Sequence, residues 1–155
     1  VEKFLASSGS SFYSPSNIRL NESVKFYIED GFINSIIGNE KDVINIKRHY
    51  NYVANKFRIN KKVVHSWHSG IHNGLIIESI KFNDPDYWSN TVFGSPNYLH
   101  FHTCGDYAPG EICWMIKNQS IVLDDLPFWE NGKILYNNFP LLMKCIDKWP
   151  ILLTF

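Results

Sequence analysis

The chain has 155 residues, 45% of them hydrophobic and 15% aromatic, which is enough apolar material for one domain with a substantial core and too little length for two comfortable ones. Fifteen basic residues balance fifteen acidic ones, so no net field favours nucleic acid or an anionic membrane, and no basic stripe favours them locally. No apolar run approaches the roughly 20 residues needed to span a bilayer, and no basic segment followed by an apolar one opens the sequence.

Cys104, Cys113 and Cys145 are odd in number, widely spaced and without a C-x-x-C pair, a usage that suits reduced thiols in the cytoplasm better than a disulfide framework. The sequons at Asn21 and Asn118 then read as chance occurrences.

Along the chain, two β-rich runs between Lys25 and Ile37 flank Asp30-Gly31, a pair that takes the positive φ angles of a tight hairpin turn. Asn39 is placed to cap a helix whose first turn holds Glu40 and Asp42, charges that suit its positive end. Val43, Ile46, Tyr50, Val53 and Phe57 then recur at helical spacing and form a core stripe, with Lys47 on the solvated side. After Lys61-Lys62, a strand is expected from Val63 to Trp67, stopping at Ser69-Gly70, and another extended segment from Leu75 to Phe82.

Asp84-Pro85-Asp86 marks a short helical turn, and Gly94 to Asn97 breaks the chain before a strand from Tyr98 to Thr103 that carries His100 and His102 on one face. A loop follows from Asp106 to Gly110. Strands are then expected at Ile112–Ile116 and Ser120–Leu123, a turn at Glu130-Asn131-Gly132, and a terminal helix from Pro140 to Lys148. The expected fold is α+β: a single sheet-dominated domain over residues 1–155, mixed or antiparallel, with one long internal helix and a short C-terminal one.

Three segments carry chemistry. They are Gly9-Ser-Ser-Phe-Tyr-Ser-Pro15, His65-Ser-Trp-His-Ser-Gly-Ile-His72, and the alternating strand from Glu111 to Asp124. Together, over roughly positions 1–135, they resemble the C-terminal domain of thermophilic-type metallo-aminopeptidases and of their relative 2,5-dihydroxypyridine dioxygenase. The aminopeptidases' large N-terminal domain is not covered. The resemblance implies metal ligands at four positions where this sequence has Ser10, Ser66, Glu111 and Cys113, so two carboxylates and a His-x-Asp pair are replaced. A further family histidine corresponds to His100, or two residues on to His102.

Serines cannot supply the charge that holds a di-metal pair and activates its water, and loss of enzymatic function is the expectation. The truncated, dioxygenase-like layout also resembles the precursor-binding accessory proteins of crocagin-type biosynthesis. That resemblance implies a cytoplasmic, non-catalytic protein without cofactor, recognising a precursor or leader peptide in ribosomal peptide natural-product biosynthesis. A modifying enzyme is a further partner in that setting, and a homodimer is left open. Candidate peptide contacts are Trp67, Tyr107, Ser66 and His68, residues of or beside the former ligand loops. Trp88 and Trp114 add aromatic surface in the same neighbourhood.

The competing reading is a mononuclear iron or zinc enzyme, dioxygenase-like or hydrolytic, that uses His100, His102 and Glu111 with help from His68. On spacing alone the histidines read as ordinary hydrogen-bonded side chains, because two on one strand face do not by themselves converge and Gly70 interrupts His68 to His72. Triads written from Ser66, His68 and Asp106, or from Cys104, His100 and Asp106, lack any G-x-S-x-G elbow. Cys113, flanked by Ile112, Trp114 and Ile116, reads as a packed thiol.

Overall fold

The structure is a computed structural model and describes residues 4–7, 17–73, 75, 95–107 and 110–150. Gly9 to Pro15 with Ser10, the extended segment after Leu75, the turn at Asp84 to Asp86, and Trp88 lie outside these residues. The elements are β1 (Phe4–Ser7), β2 (Asn17–Arg19), β3 (Lys25–Glu29), β4 (Phe32–Ile37), α1 (Glu40–Phe57), β5 (Val64–Ser69), β6 (Tyr98–Cys104), β7 (Glu111–Lys117), β8 (Ile121–Leu123), β9 (Leu126–Glu130), β10 (Lys133–Ile134), a 3-10 turn at Tyr136–Asn138, and α2 (Pro140–Lys148).

The strands form a five-stranded sheet in the order β2-β1-β7-β6-β5, a three-stranded sheet β10-β9-β8, and the hairpin β3-β4. The fold is α+β and sheet-dominated, as the pattern of periods predicts. Among the described residues no helix is long and apolar enough to cross a membrane.

The chain gathers into two compact units, residues 1–67 with 100–116, and residues 68–99 with 117–155, so β5 and β6 contribute to both. In the first unit, Asp30 and Gly31 take φ of 49° and 79°, the doubly positive pair of a type I′ turn, whose twist matches the strands it joins. α1 begins where Asn39 accepts the Lys41 amide at 3.0 Å and ends at Arg58 in the left-handed conformation, whose N–H returns to the Ala54 carbonyl. Ile46, Tyr50 and Val53 are buried, Val43 and Phe57 partly so, and Lys47 is exposed, which is the expected division of faces.

Asp42 stands in the first turn as expected and is buried, at 1% exposure. Its carboxylate accepts the Asn21 amide at 3.0 Å, the Glu22 amide at 3.1 Å and Asn21 Nδ2 at 2.8 Å, tying the helix start to the segment before β3.

The core of this unit is aromatic and contains one buried hydrogen-bond chain. Phe26 meets Trp114 edge-on at 4.6 Å between centroids, and Phe101 stacks on Trp114 at 6.2 Å. Trp114 Nε1 donates to Tyr50 Oη at 2.6 Å, and Thr103 Oγ1 donates to the Ile112 carbonyl at 3.1 Å. A carbonyl only accepts, so Thr103 spends its single proton there, and Tyr50 must be the donor in the 2.5 Å bond between their oxygens. Burial pushes the Tyr50 phenol well above its usual range, which keeps that proton in place.

In the second unit, Trp129, Ile134, Tyr136 and Ile146 form a buried cluster on which Ile121, Phe128, Leu142 and Met143 pack. The segment 69–73 is tied down by side chains: Tyr136 donates to the Ile71 carbonyl, Asn73 accepts the Ile134 amide at 3.2 Å, and Gln119 Nε2 donates to Ser69 Oγ at 3.0 Å. β9 and β10 meet at Asn131-Gly132, with φ of 48° and 79°, repeating the turn chemistry of Asp30-Gly31.

Candidate functional site

The histidine region is built by the way β6 ends. Cys104 takes a φ of 69°, a left-handed turn that is uncommon outside glycine. Its carbonyl accepts from His65 Nε2 at 2.7 Å and its amide donates to the Val63 carbonyl at 3.0 Å, so both main-chain groups are anchored. The loop then doubles back, Gly105 N–H meeting the Gly110 carbonyl at 2.9 Å. A Cβ on Gly105 would lie 2.8 Å from the Gly110 carbonyl carbon, so the closure requires glycine.

That closure sets two acceptors beside His102. Its Nδ1 lies 3.1 Å from the Asp106 carbonyl and 3.5 Å from Glu111 Oε2. Since the carbonyl can only accept, Nδ1 carries a proton in that contact. Glu111, at the start of β7, has its carboxyl pushed upward, mainly by burial and further by Asp106, with His102 opposing.

His100 is buried one strand period away, its ring centroid 5.2 Å from that of His102. Both rings and Glu111 belong to the first unit, and His68 is half-buried on β5. His65, on the same strand as His68, is committed to the Cys104 carbonyl.

The other sequence candidates take separate places. Trp67 and Tyr107 are 50% and 76% exposed, available as contact surface, whereas Trp114 is fully buried and serves the core. Ser66 is half-buried on β5. Burial pushes the Cys104 thiol up to about 11 and the Cys113 thiol up to about 12, so both stay protonated near neutrality and neither is an activated nucleophile.

A second feature lies in the first unit, where sequence reasoning placed only a solvated face. β4 and the chain entering β5 start as neighbours: Val64 N–H meets the Gly31 carbonyl and Ile33 N–H the Lys62 carbonyl, each at 2.8 Å, around a Phe32–Val63 bridge. Beyond Ile33 the two diverge, and among the described residues no strand but β3 pairs with β4. The gap is a cavity of about 350 Å³, lined by Ile33 to Ile36 of β4, by Lys47, Tyr50 and Asn51 of α1, and by Lys61 and Lys62. The signals in the sequence are the Lys61-Lys62 pair and the i, i+4 relation of Lys47 and Asn51 on one helix face.

No family model matches the chain, and no curated protein or solved structure matches it either. The functional reading therefore rests on these two features.

Proposed function

We propose that this protein is a non-catalytic peptide-binding accessory protein, and that it takes a precursor or leader peptide of a ribosomal peptide pathway as an added strand on the open edge of β4. One observation carries the proposal: the β4 edge loses its neighbour after Ile33 and faces a cavity instead. An unpaired strand edge offers main-chain donors and acceptors in register, and adjoining pockets read alternate side chains, which is how strand addition combines affinity with selectivity. Exposed Trp67 and Tyr107 are aromatic candidates for a peptide contact. Hydrogen exchange of the full chain with precursor peptides from its gene neighbourhood tests the reading. Protection is expected at the amides of Asn34 to Ile36, binding should be lost when the peptide's own amides are N-methylated, and no product should form. Peptide turnover by the pure protein, or undiminished binding of N-methylated peptide, would reject it.

A second reading is favoured by His100 and His102, whose rings lie 5.2 Å apart between centroids, with Glu111 Oε2 3.5 Å from His102 Nδ1. Imidazoles are recurrent donors for a zinc or iron ion that keeps open coordination positions. A metal-bound histidine usually donates its other ring N–H, as His102 Nδ1 does to the Asp106 carbonyl. Such an ion would supply Lewis acidity at an open position, with His100 and His102 as its holders and Glu111 orienting His102. Metal content after purification without chelator decides between the readings. One equivalent of iron or zinc that disappears in His100→Ala would favour the metalloenzyme.

A further inference from the structure

Among the described residues, the charged groups lining the cavity beside β4 are Lys47, Lys61 and Lys62. They come from two separate elements, the exposed face of α1 and the turn before β5, and face one space. Like charges brought together raise the free energy of a fold unless a counter-charge is supplied. Among the described residues, none of the three has a carboxylate within ion-pair distance, although the chain carries as many acidic as basic groups.

Asn51 Oδ1 accepts from Lys61 Nζ at 2.5 Å, which fixes that ammonium without neutralising it and leaves two of its three donors for a ligand. Glu29, on β3, is engaged by Asn34 Nδ2 at 2.5 Å and does not line the cavity.

We infer that the cavity is a carboxylate-binding site, and that the peptide recognised on β4 is an acidic segment whose Asp or Glu side chains point into it at alternate positions. The inference rests on the peptide reading above and adds the chemistry of the ligand. An extended peptide advances about 3.3 Å per residue, so side chains two apart stand about 7 Å from each other on one face. Lys47 and Asn51, which holds Lys61, are one helical turn apart, about 6 Å of rise, so such a spacing suits one carboxylate at Lys47 and the next at Lys61. A phosphate polymer is disfavoured because, among the described residues, the lining holds no arginine, and because the chain has no net positive charge. The open strand edge beside the lysines points to a main chain as the ligand's backbone.

The test uses a cellulose array of random acetylated, amidated decapeptides probed with the full chain, followed by fluorescence anisotropy on the hits. Hits should be enriched in Asp and Glu. Exchanging these for Asn and Gln should weaken binding about tenfold or more, added salt should weaken it further, and Lys47→Ala with Lys61→Ala should reproduce the loss while circular dichroism is unchanged. Hits without acidic enrichment, or acidic hits that bind the folded double variant as well as the parent, would overturn the inference and leave strand recognition standing. If no decapeptide binds at all, both fail together.

Discussion

Tyr50→Phe tests the buried hydrogen-bond chain at its centre. The substitution removes one oxygen and keeps the ring that packs 6.5 Å from Trp114. It leaves Trp114 Nε1–H, donated to that oxygen at 2.6 Å, with no acceptor in a residue that is 0% exposed, and it removes the donor to Thr103. An orphaned buried donor costs about 1–3 kcal/mol and a lost neutral hydrogen bond about 1 kcal/mol, so a loss of about 2–4 kcal/mol is expected, a large part of a typical domain's stability. Urea unfolding followed by tryptophan fluorescence would read it as a midpoint lowered by about 1–2 M, for a slope of about 2 kcal/mol/M. Trp114→Phe removes the donor as well, so in the double variant part of the cost disappears, and the two changes should couple by about 1 kcal/mol or more. A loss below about 0.5 kcal/mol for Tyr50→Phe, or strict additivity of the two changes, would refute the donor order derived above.

Three further outcomes follow from buried groups. Asp42→Ala, which strands the Asn21 and Glu22 amides and Asn21 Nδ2, should cost about 3 kcal/mol and Asp42→Asn less; equal thermal melts of Asp42→Ala and the parent would contradict the helix anchor. Thiols that titrate from 9.0 when free are held up to about 12 at Cys113 and about 11 at Cys104. Their contribution to stability is whole below the unfolded value and is lost as pH rises toward the folded one, about 1.4 kcal/mol per pH unit for each group. A flat melting temperature between about pH 8 and pH 10.5 would count against their burial. Gly132→Ala sets a Cβ 2.7 Å from that of Asn97 at a φ of +79°, whereas Gly31→Ala has the same φ and its nearest atom at 4.0 Å. The first should cost about 2–3 kcal/mol and the second about 1 kcal/mol, read by urea midpoints, with equal losses denying the contact with Asn97.

Local structure was legible in the sequence wherever one residue's chemistry decides it. Asn39 before Glu40, Asp30-Gly31 and the proline opening Pro140–Lys148 each act through their own backbone preferences, and each element stands as expected. β9 was missed because Pro127 argues against a strand that has neighbours on both sides. The sheet accommodates it where the register shifts between Ile121 and Val122, and Val122 is the residue opposite Pro127. The burial of Asp42 has no local signal either: a first-turn carboxylate is stabilised by the helix end whether solvated or buried, and only the return of Asn21 and Glu22 decides between the two. The functional features are less legible still. The meeting of β5 with β6 and the parting of β4 from the Lys61-Lys62 turn join segments far apart in the chain, and no local period records such pairings.

The two readings of function make separate demands on the chain, and this makes them separable by one set of variants. Metal binding would depend on His100 and His102, with Glu111 and the Asp106 carbonyl beside Nδ1 of His102. Acidic peptide binding would depend on Lys47, Lys61 and Lys62. If the imidazoles hold zinc, titration against a chromophoric chelator should give one site, His100→Ala should abolish it, and Glu111→Gln should weaken it about 10–100-fold through the orientation of His102 rather than through a lost ligand. Lys61→Ala should leave that site unchanged. If the histidines are structural, zinc will not compete with the chelator, and the chelator will leave the melting temperature of the parent where it was, because no binding energy is then linked to the folded state. Zinc that binds equally to the parent and to His100→Ala would place the ion elsewhere and remove the metal reading of β6, leaving the lysine-lined edge of β4 as the feature on which function turns.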